Sequence, residues 1–227
     1  MVIPLDDDNP TTTRPYATVG ILIVCVLVYL LVNDPKSDFG LVPAVLTGRD
    51  ARPGMAVVPA WTTVFTYMFM HGGFWHLAGN MLFLWIFGNN IEEAMGHVRF
   101  ILFYVACGIV AALSQVLPNP GSVIPIVGAS GAISGVLGAY MLLFPRARVL
   151  LGLPLGFVNV EFGRFPAIWV LATWFALQFL FVGIAATRGA GESQGGIVFG
   201  AHIAGFIAGC ALVTIFKRRH VPLWRRY

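Results

Sequence analysis

Ser130 stands between glycines in VGASGAISG, residues 127–135, at the start of an apolar run that Pro145 ends. His202 opens a second apolar run, AHIAGFIAG, and His76 and Asn80 fall at i and i+4 in HGGFWHLAGN. A serine hydroxyl is a weak nucleophile and needs a base at about 2.6–3.2 Å. A neutral imidazole, with an ordinary pKa of about 6.5, suits that task. The oxyanion of an acyl-transfer intermediate needs aimed donors. Asn80 carries side-chain N–H groups, the His76 ring can carry one, and the Ser130 backbone N–H at a helix start adds another with the helix dipole behind it. His76 and Asn80, four apart, share one helix face. Glu92 and Glu93 lie at the far end of the run that begins at residue 74, so no acid is at this depth to complete a triad. The chemistry expected is acyl transfer by a serine–histidine dyad.

Each residue alone has a plainer reading. Ser130 can be a packing residue, because Gly131 and Gly135 form the small-xxx-small spacing of close helix contacts. His202 can be an interfacial histidine on a run whose Gly205 and Gly209 repeat the same spacing. The pairing shifts the balance. Two smooth faces that meet would bring the hydroxyl and the imidazole together at their common end.

The elements that must hold these groups follow from composition. The chain has 227 residues, of which 58% are hydrophobic and 11% charged. A soluble domain carries roughly 25% charged residues, so the class expected is integral membrane. Six apolar segments are read, over about 16–32, 74–91, 100–117, 127–144, 166–186 and 201–216. Each approaches the ~20 residues of a spanning helix, and none alternates as barrel strands do. The fold class expected is an all-α integral membrane bundle of six transmembrane helices. Residues 1–15 are expected to form a cytoplasmic N-terminal tail, 16–216 the membrane core and 217–227 a basic cytoplasmic tail. Asp6, Asp7 and Asp8 read as a solvated part of the first tail.

The connection from about residue 33 to residue 73 is too apolar for a solvated linker and reads as a folded, partly membrane-embedded loop. The stretch 146–164, apolar between basic ends, reads as interfacial. Most of the 14 lysines and arginines (Arg14, Arg99, Arg146, Arg148, Arg164, Lys217, Arg218, Arg219, Arg225 and Arg226) flank one side, against Lys36, Arg49, Arg52 and Arg188. The positive-inside rule puts the first set in the cytoplasm. Both termini are then cytoplasmic, in the plasma membrane, and the long loop faces outward. Segments two, four and six run from outside to inside, which places His76, Asn80, Ser130 and His202 at similar depth near the outer leaflet. Polar groups inside spans are costly and mark function or helix contact.

The net charge of +4 is accounted for by this topology and by lipid contact at the terminal KRRHVPLWRRY, so no nucleic-acid partner is expected. Cys25, Cys107 and Cys210 lie in apolar runs at no metal-ligand spacing and read as small core residues. No cofactor and no metal are expected.

Taken together, these motifs resemble the rhomboid intramembrane serine proteases, from about Trp61 to Gly209. GASG, Gly128 to Gly131, is similar to the family's GxSG nucleophile motif, which implies Ser130 as nucleophile. AHIAGFIAG resembles the sixth-span motif and implies His202 as base, with Gly205 and Gly209 on its packing face. HGGFWHLAGN resembles HxxxxHxxxN, which implies that His76 and Asn80 line the oxyanion site and that His71 is a supporting loop residue. The resemblance implies a serine endopeptidase acting on transmembrane segments of other proteins, with a small residue before the cut. Three positions depart from the family pattern: Thr62 follows Trp61 where an arginine is common, Ala94 stands two after Glu92 where another arginine is common, and Ser134 takes the place of an aromatic four after the nucleophile. Activity is expected to fall as His202 protonates in acid. Two other readings are a non-catalytic pseudoprotease that holds membrane helices, and a transporter or metal carrier using His71, His76 and His202. Oligomeric state has no signal in the sequence.

Overall fold

The structure is a computed structural model that describes residues 2–32, 39–49, 58–155, 158–187 and 194–224. It is mostly helical. Six long helices correspond to the six apolar segments: α1 (Tyr16–Leu31), α4 (Phe74–Met95), α5 (His97–Val116), α6 (Ser130–Leu143), α7 (Ala167–Thr187) and α8 (Gln194–Phe216). Between α1 and α4 lie two short helices, α2 (Pro43–Leu46) and α3 (Thr63–Thr66), with 3₁₀ turns at Ala60–Thr62 and Tyr67–Phe69. Among the described residues, the stretches His97–Val116 and Phe199–Phe216 are long and apolar enough to cross a membrane, and shorter apolar helices cover Tyr16–Leu31, Ser130–Leu143 and Ala167–Leu180. The outward surfaces are apolar as well. Leu27, Leu30 and Leu31 of α1, Val98 and Leu102 of α5, and Trp169, Phe179 and Leu180 of α7 are exposed. An outer face of this kind fits lipid and not water.

Helix α6 is the centre of the bundle because its residues are small. It is buried from Gly131 through Tyr140. Its glycines let α8 approach to backbone contact: a Cβ placed on Gly205 would lie 2.0 Å from the Gly131 carbonyl oxygen, and one on Gly209 would lie 2.0 Å from that of Gly135. A methyl group at either position would force the helices apart. On the other side Ala111 and Cys107 of α5 fill the space over Gly131 and Gly135. The smooth faces expected from glycine spacing therefore do meet, in register. Cys25, Cys107 and Cys210 are free thiols, the first two fully buried, as small core residues are.

Parts of the first connection pack on the bundle. Tyr67 and Met68 are buried, the Tyr67 hydroxyl donates to the Gly108 carbonyl at 2.7 Å, and Leu41 pairs with Ile126 as an isolated bridge. Lys36, Arg52, Arg188, Arg225 and Arg226, used in the charge count, lie outside the described residues.

A buried carboxylate ties α1 to α4. Glu92 is 1% exposed and accepts from the backbone N–H groups of Ala17 and Thr18, at 2.8 and 2.7 Å, and from the Thr18 hydroxyl at 2.6 Å. Its Oε1 also meets His97 Nδ1 at 2.5 Å. Helix α1 has no capping side chain of its own, so Glu92 satisfies its first donors from another helix, where the dipole favours negative charge. This anchors the C-terminal part of α4 without an arginine at position 94.

One expectation is corrected: the segment that carries Asp6 to Asp8 is not a free tail, although Asp6 and Asp8 stay exposed. It pairs with the stretch 146–164, read from the sequence as interfacial, in a three-stranded antiparallel sheet of order β1-β2-β3, with β1 at Ile3–Asp7, β2 at Arg148–Leu155 and β3 at Val158–Pro166. Ile3 pairs with Gly152 and Asp7 with Val149; Arg148 pairs with Pro166. Each acid has a partner: Asp6 accepts from Arg164 at 3.2 Å, the Tyr140 hydroxyl of α6 donates to Asp7, and Asp8 accepts from the Arg148 backbone N–H at 2.6 Å. Strand-forming valines and phenylalanines were hidden in an apolar background, and β1 pairs with residues far along the chain, beyond the reach of local pattern. The chain after α8 also returns to the bundle, where Trp224 N–H donates to the Leu142 carbonyl at 2.9 Å.

Asp7 gives the sheet a pH signature. Burial, opposed by the Tyr140 hydrogen bond, pushes its carboxyl up to about 6. A carboxyl that holds its proton more tightly when folded stabilises the fold most in its protonated form. Its contribution is therefore present near pH 4 and lost as the pH rises through about 6. Thermal denaturation of wild type and Asp7→Asn from pH 4 to 7 checks this. The difference between them should move against the wild type as pH rises, and parallel profiles would rule it out.

Candidate active site

Ser130 is the first residue of α6, and the turn before it is shaped by Gly128. The Gly128 φ of +126° lies in the region that favours glycine, and its N–H donates to the Tyr67 carbonyl at 2.9 Å. A Cβ there would also lie 2.7 Å from the His76 ring atoms Cε1 and Nε2, and 3.7 Å from Ser130 Oγ. Glycine at 128 thus lets the His76 ring and the Ser130 hydroxyl crowd the same spot. Alanine would be both strained and blocked.

His76, Asn80, Ser130 and His202 line one cavity of about 240 Å³, together with Trp75, Gly79, Ser134 and Trp174. Three helices supply the four groups. His76 and Asn80 come from one face of α4, Ser130 from the end of α6, and His202 from α8 through the Gly131–Gly205 contact. Asn80 is 7% exposed, and its Nδ2 is buried without a hydrogen-bond partner among the described residues. His202 Nε2 is likewise buried and unpartnered. A buried donor and a buried ring nitrogen left open are costly unless a ligand uses them.

His71 takes a different place. It lies in the turn before α4, is 1% exposed, and its Nδ1 is 3.3 Å from the Phe69 carbonyl oxygen. Its ring stands edge-on to His76, with centroids 5.3 Å apart. Burial, with His76 adding to it, pushes the His71 imidazole down to about 4, so it is neutral at pH 7. It does not line the cavity but backs the ring that does. Among the described residues, no three His, Cys, Asp or Glu side chains are grouped to hold a metal ion.

Two residues at the site were missed from the sequence. His202 Nδ1 is 2.9 Å from Gln178 Oε1, and the Trp174 ring lies over His202 with centroids 5.8 Å apart and planes at 35°. Trp174 and Gln178 sit one turn apart on α7. Phe206 continues the stack, 6.3 Å from Trp174 and 4.3 Å from Phe175. The aromatic support that position 134 does not give is thereby provided from α7, while the Ser134 hydroxyl turns back to the Ser130 carbonyl at 2.6 Å. The signal was available: Gln178 is a lone amide in an apolar segment, where polar side chains are costly.

A model of the Rhomboid domain matches residues 59–219. The mitochondrial rhomboid protein 1 of Saccharomyces cerevisiae is 35% identical over 133 residues, 55% of this chain and 38% of that protein. The rhomboid protease GluP of Bacillus subtilis is 41% identical over 81 residues, 36% of this chain and 15% of that protein. The putative rhomboid protease YdcA, also of Bacillus subtilis, is 28% identical over 156 residues, 61% of this chain and 78% of that protein. This chain therefore spans well under half of the first two relatives. With the domain match running over most of its length and taking in all three site helices, the chain belongs to the rhomboid family of membrane proteins.

Proposed function

We propose that this protein is an intramembrane serine endopeptidase that cleaves transmembrane segments of other membrane proteins. The observation that carries the reading is the convergence of Ser130, His202, His76 and Asn80 on one cavity. In the first half-reaction Ser130 Oγ adds to the scissile carbonyl carbon as its proton passes to His202 Nε2. The carbonyl oxygen becomes an oxyanion, held by His76, the Asn80 amide and the Ser130 backbone N–H. Collapse breaks the C–N bond; the departing amine takes the proton from His202, and the acyl group stays on Ser130. Water then repeats the addition, with His202 as base, and releases the acid and the free hydroxyl.

The six long helices serve as six membrane crossings in this reading, with a partly embedded first loop. Both termini are cytoplasmic, in the plasma membrane, and the site opens outward to admit water. A substrate helix must unwind locally, because its own backbone and side chains shield the bond. The sheet then sits at the inner end of α6, about 20 Å from the nucleophile at 1.5 Å per residue.

A serine-reactive fluorophosphonate tests the assignment. The purified wild type should be labelled and Ser130→Ala should not. Equal labelling of both would remove Ser130 as the nucleophile. A wild type that neither cleaves a membrane-spanning reporter nor takes the label would favour the pseudoprotease reading.

A further inference from the structure

Resting on the protease reading, we infer that Gln178 of α7 is a positioning residue for the His202 base: its amide oxygen holds the imidazole as the Nδ1–H tautomer and leaves the Nε2 lone pair in the cavity shared with Ser130. A neutral imidazole has two tautomers, and only this one lets Nε2 accept a proton. The orientation of the amide follows from its other contact. Gln178 Nε2 donates to the Trp174 carbonyl at 3.1 Å, which a carbonyl oxygen could not do, so Oε1 is the atom at 2.9 Å from His202 Nδ1. An amide oxygen only accepts, so Nδ1 must carry the proton. Gln178 is 6% exposed, and water does not compete freely for either contact.

The choice of an amide has a physical reason. A carboxylate would hold the ring equally well and would favour the imidazolium, but an ionised group at this depth in an apolar segment is costly. Glutamine supplies the same oxygen without the charge. Trp174, one turn earlier, restrains the ring plane. Helix α7 thus sets both the tautomer and the orientation of the base, while the nucleophile belongs to α6.

The test uses the full chain, purified, with a membrane-spanning reporter. Gln178→Leu should lower kcat by about 10²-fold, the low end of what a positioned general base contributes, with KM unchanged and thermal stability near wild type. Gln178→Glu keeps the accepting oxygen. It should recover most of the lost kcat and move the acid limb of the pH profile upward, since a carboxylate favours the charged ring. His76 of α4 is the titratable neighbour facing His202, and Ser130 and Ser134 present hydroxyls, so His76→Ala repeated on the Gln178→Glu background assigns the limb. ¹⁵N spectra of labelled histidine, with His202 identified by its loss in His202→Ala, should show Nδ1–H in the wild type and loss of that preference in Gln178→Leu. A cleaving wild type matched within threefold by Gln178→Leu overturns the positioning role and leaves the protease reading standing. A wild type that neither cleaves nor labels removes the protease reading instead, and the spectra then decide: an Nε2–H ring in the wild type overturns the inference.

Discussion

Ser130→Ala should abolish the proposed cleavage of a membrane-spanning reporter, with kcat falling by about 10⁴–10⁶-fold while substrate binding persists. The size follows from what remains. Loss of a nucleophile that acts as a unit with its base removes nearly all covalent catalysis. The other hydroxyl lining the cavity, Ser134, is held to the Ser130 carbonyl at 2.6 Å within its own helix. Among the described residues, no thiol lines the cavity. Residual rate would come from the oxyanion donors acting on water. His202→Ala should cost about as much, and the double variant little more, because in the proposed mechanism the two groups perform one step. Steady-state kinetics on purified protein measure this. A Ser130→Ala protein within tenfold of wild type would place the chemistry elsewhere.

Glu92→Leu should destabilise the fold by about 3 kcal/mol or more, as hydrogen bonds to a charged acceptor are lost and their donors stay buried. Three donors at the start of α1 converge on this one carboxylate, at 2.6 to 2.8 Å, and α1 carries no cap that could replace it. Leucine fills part of the volume but satisfies none of them. Glu92→Gln keeps one accepting oxygen and should lose less. Thermal unfolding in detergent, with wild type, Gln and Leu in that order of stability, checks the claim. A leucine variant as stable as wild type would mean that water reaches these donors after all. Activity should fall with the folded fraction and no further, since Glu92 lies at the other end of α4 from His76 and Asn80.

These two sites show how differently sequence and structure speak. Ser130, His202, His76 and Asn80 were legible because each is a polar group at the end of an apolar segment, where its cost demands a reason. The glycines that bring two of them together were legible because spacing of four puts small residues on one helix face, and the face needs only a smooth partner. Composition and segment length were enough to expect a helical membrane bundle.

Gln178, Trp174, the partners of Glu92 and the sheet were decided by tertiary packing. The contacts of Gln178 with His202, and of Glu92 with Ala17 and Thr18, join different helices across long stretches of chain. β1 was hidden for the same reason: Asp7 looks solvated until β2 and Tyr140 arrive beside it. Periodicity along a chain records which face of an element avoids water. Which element that face meets, and at what register, depends on crossing angles and close approaches set by all the elements packing at once.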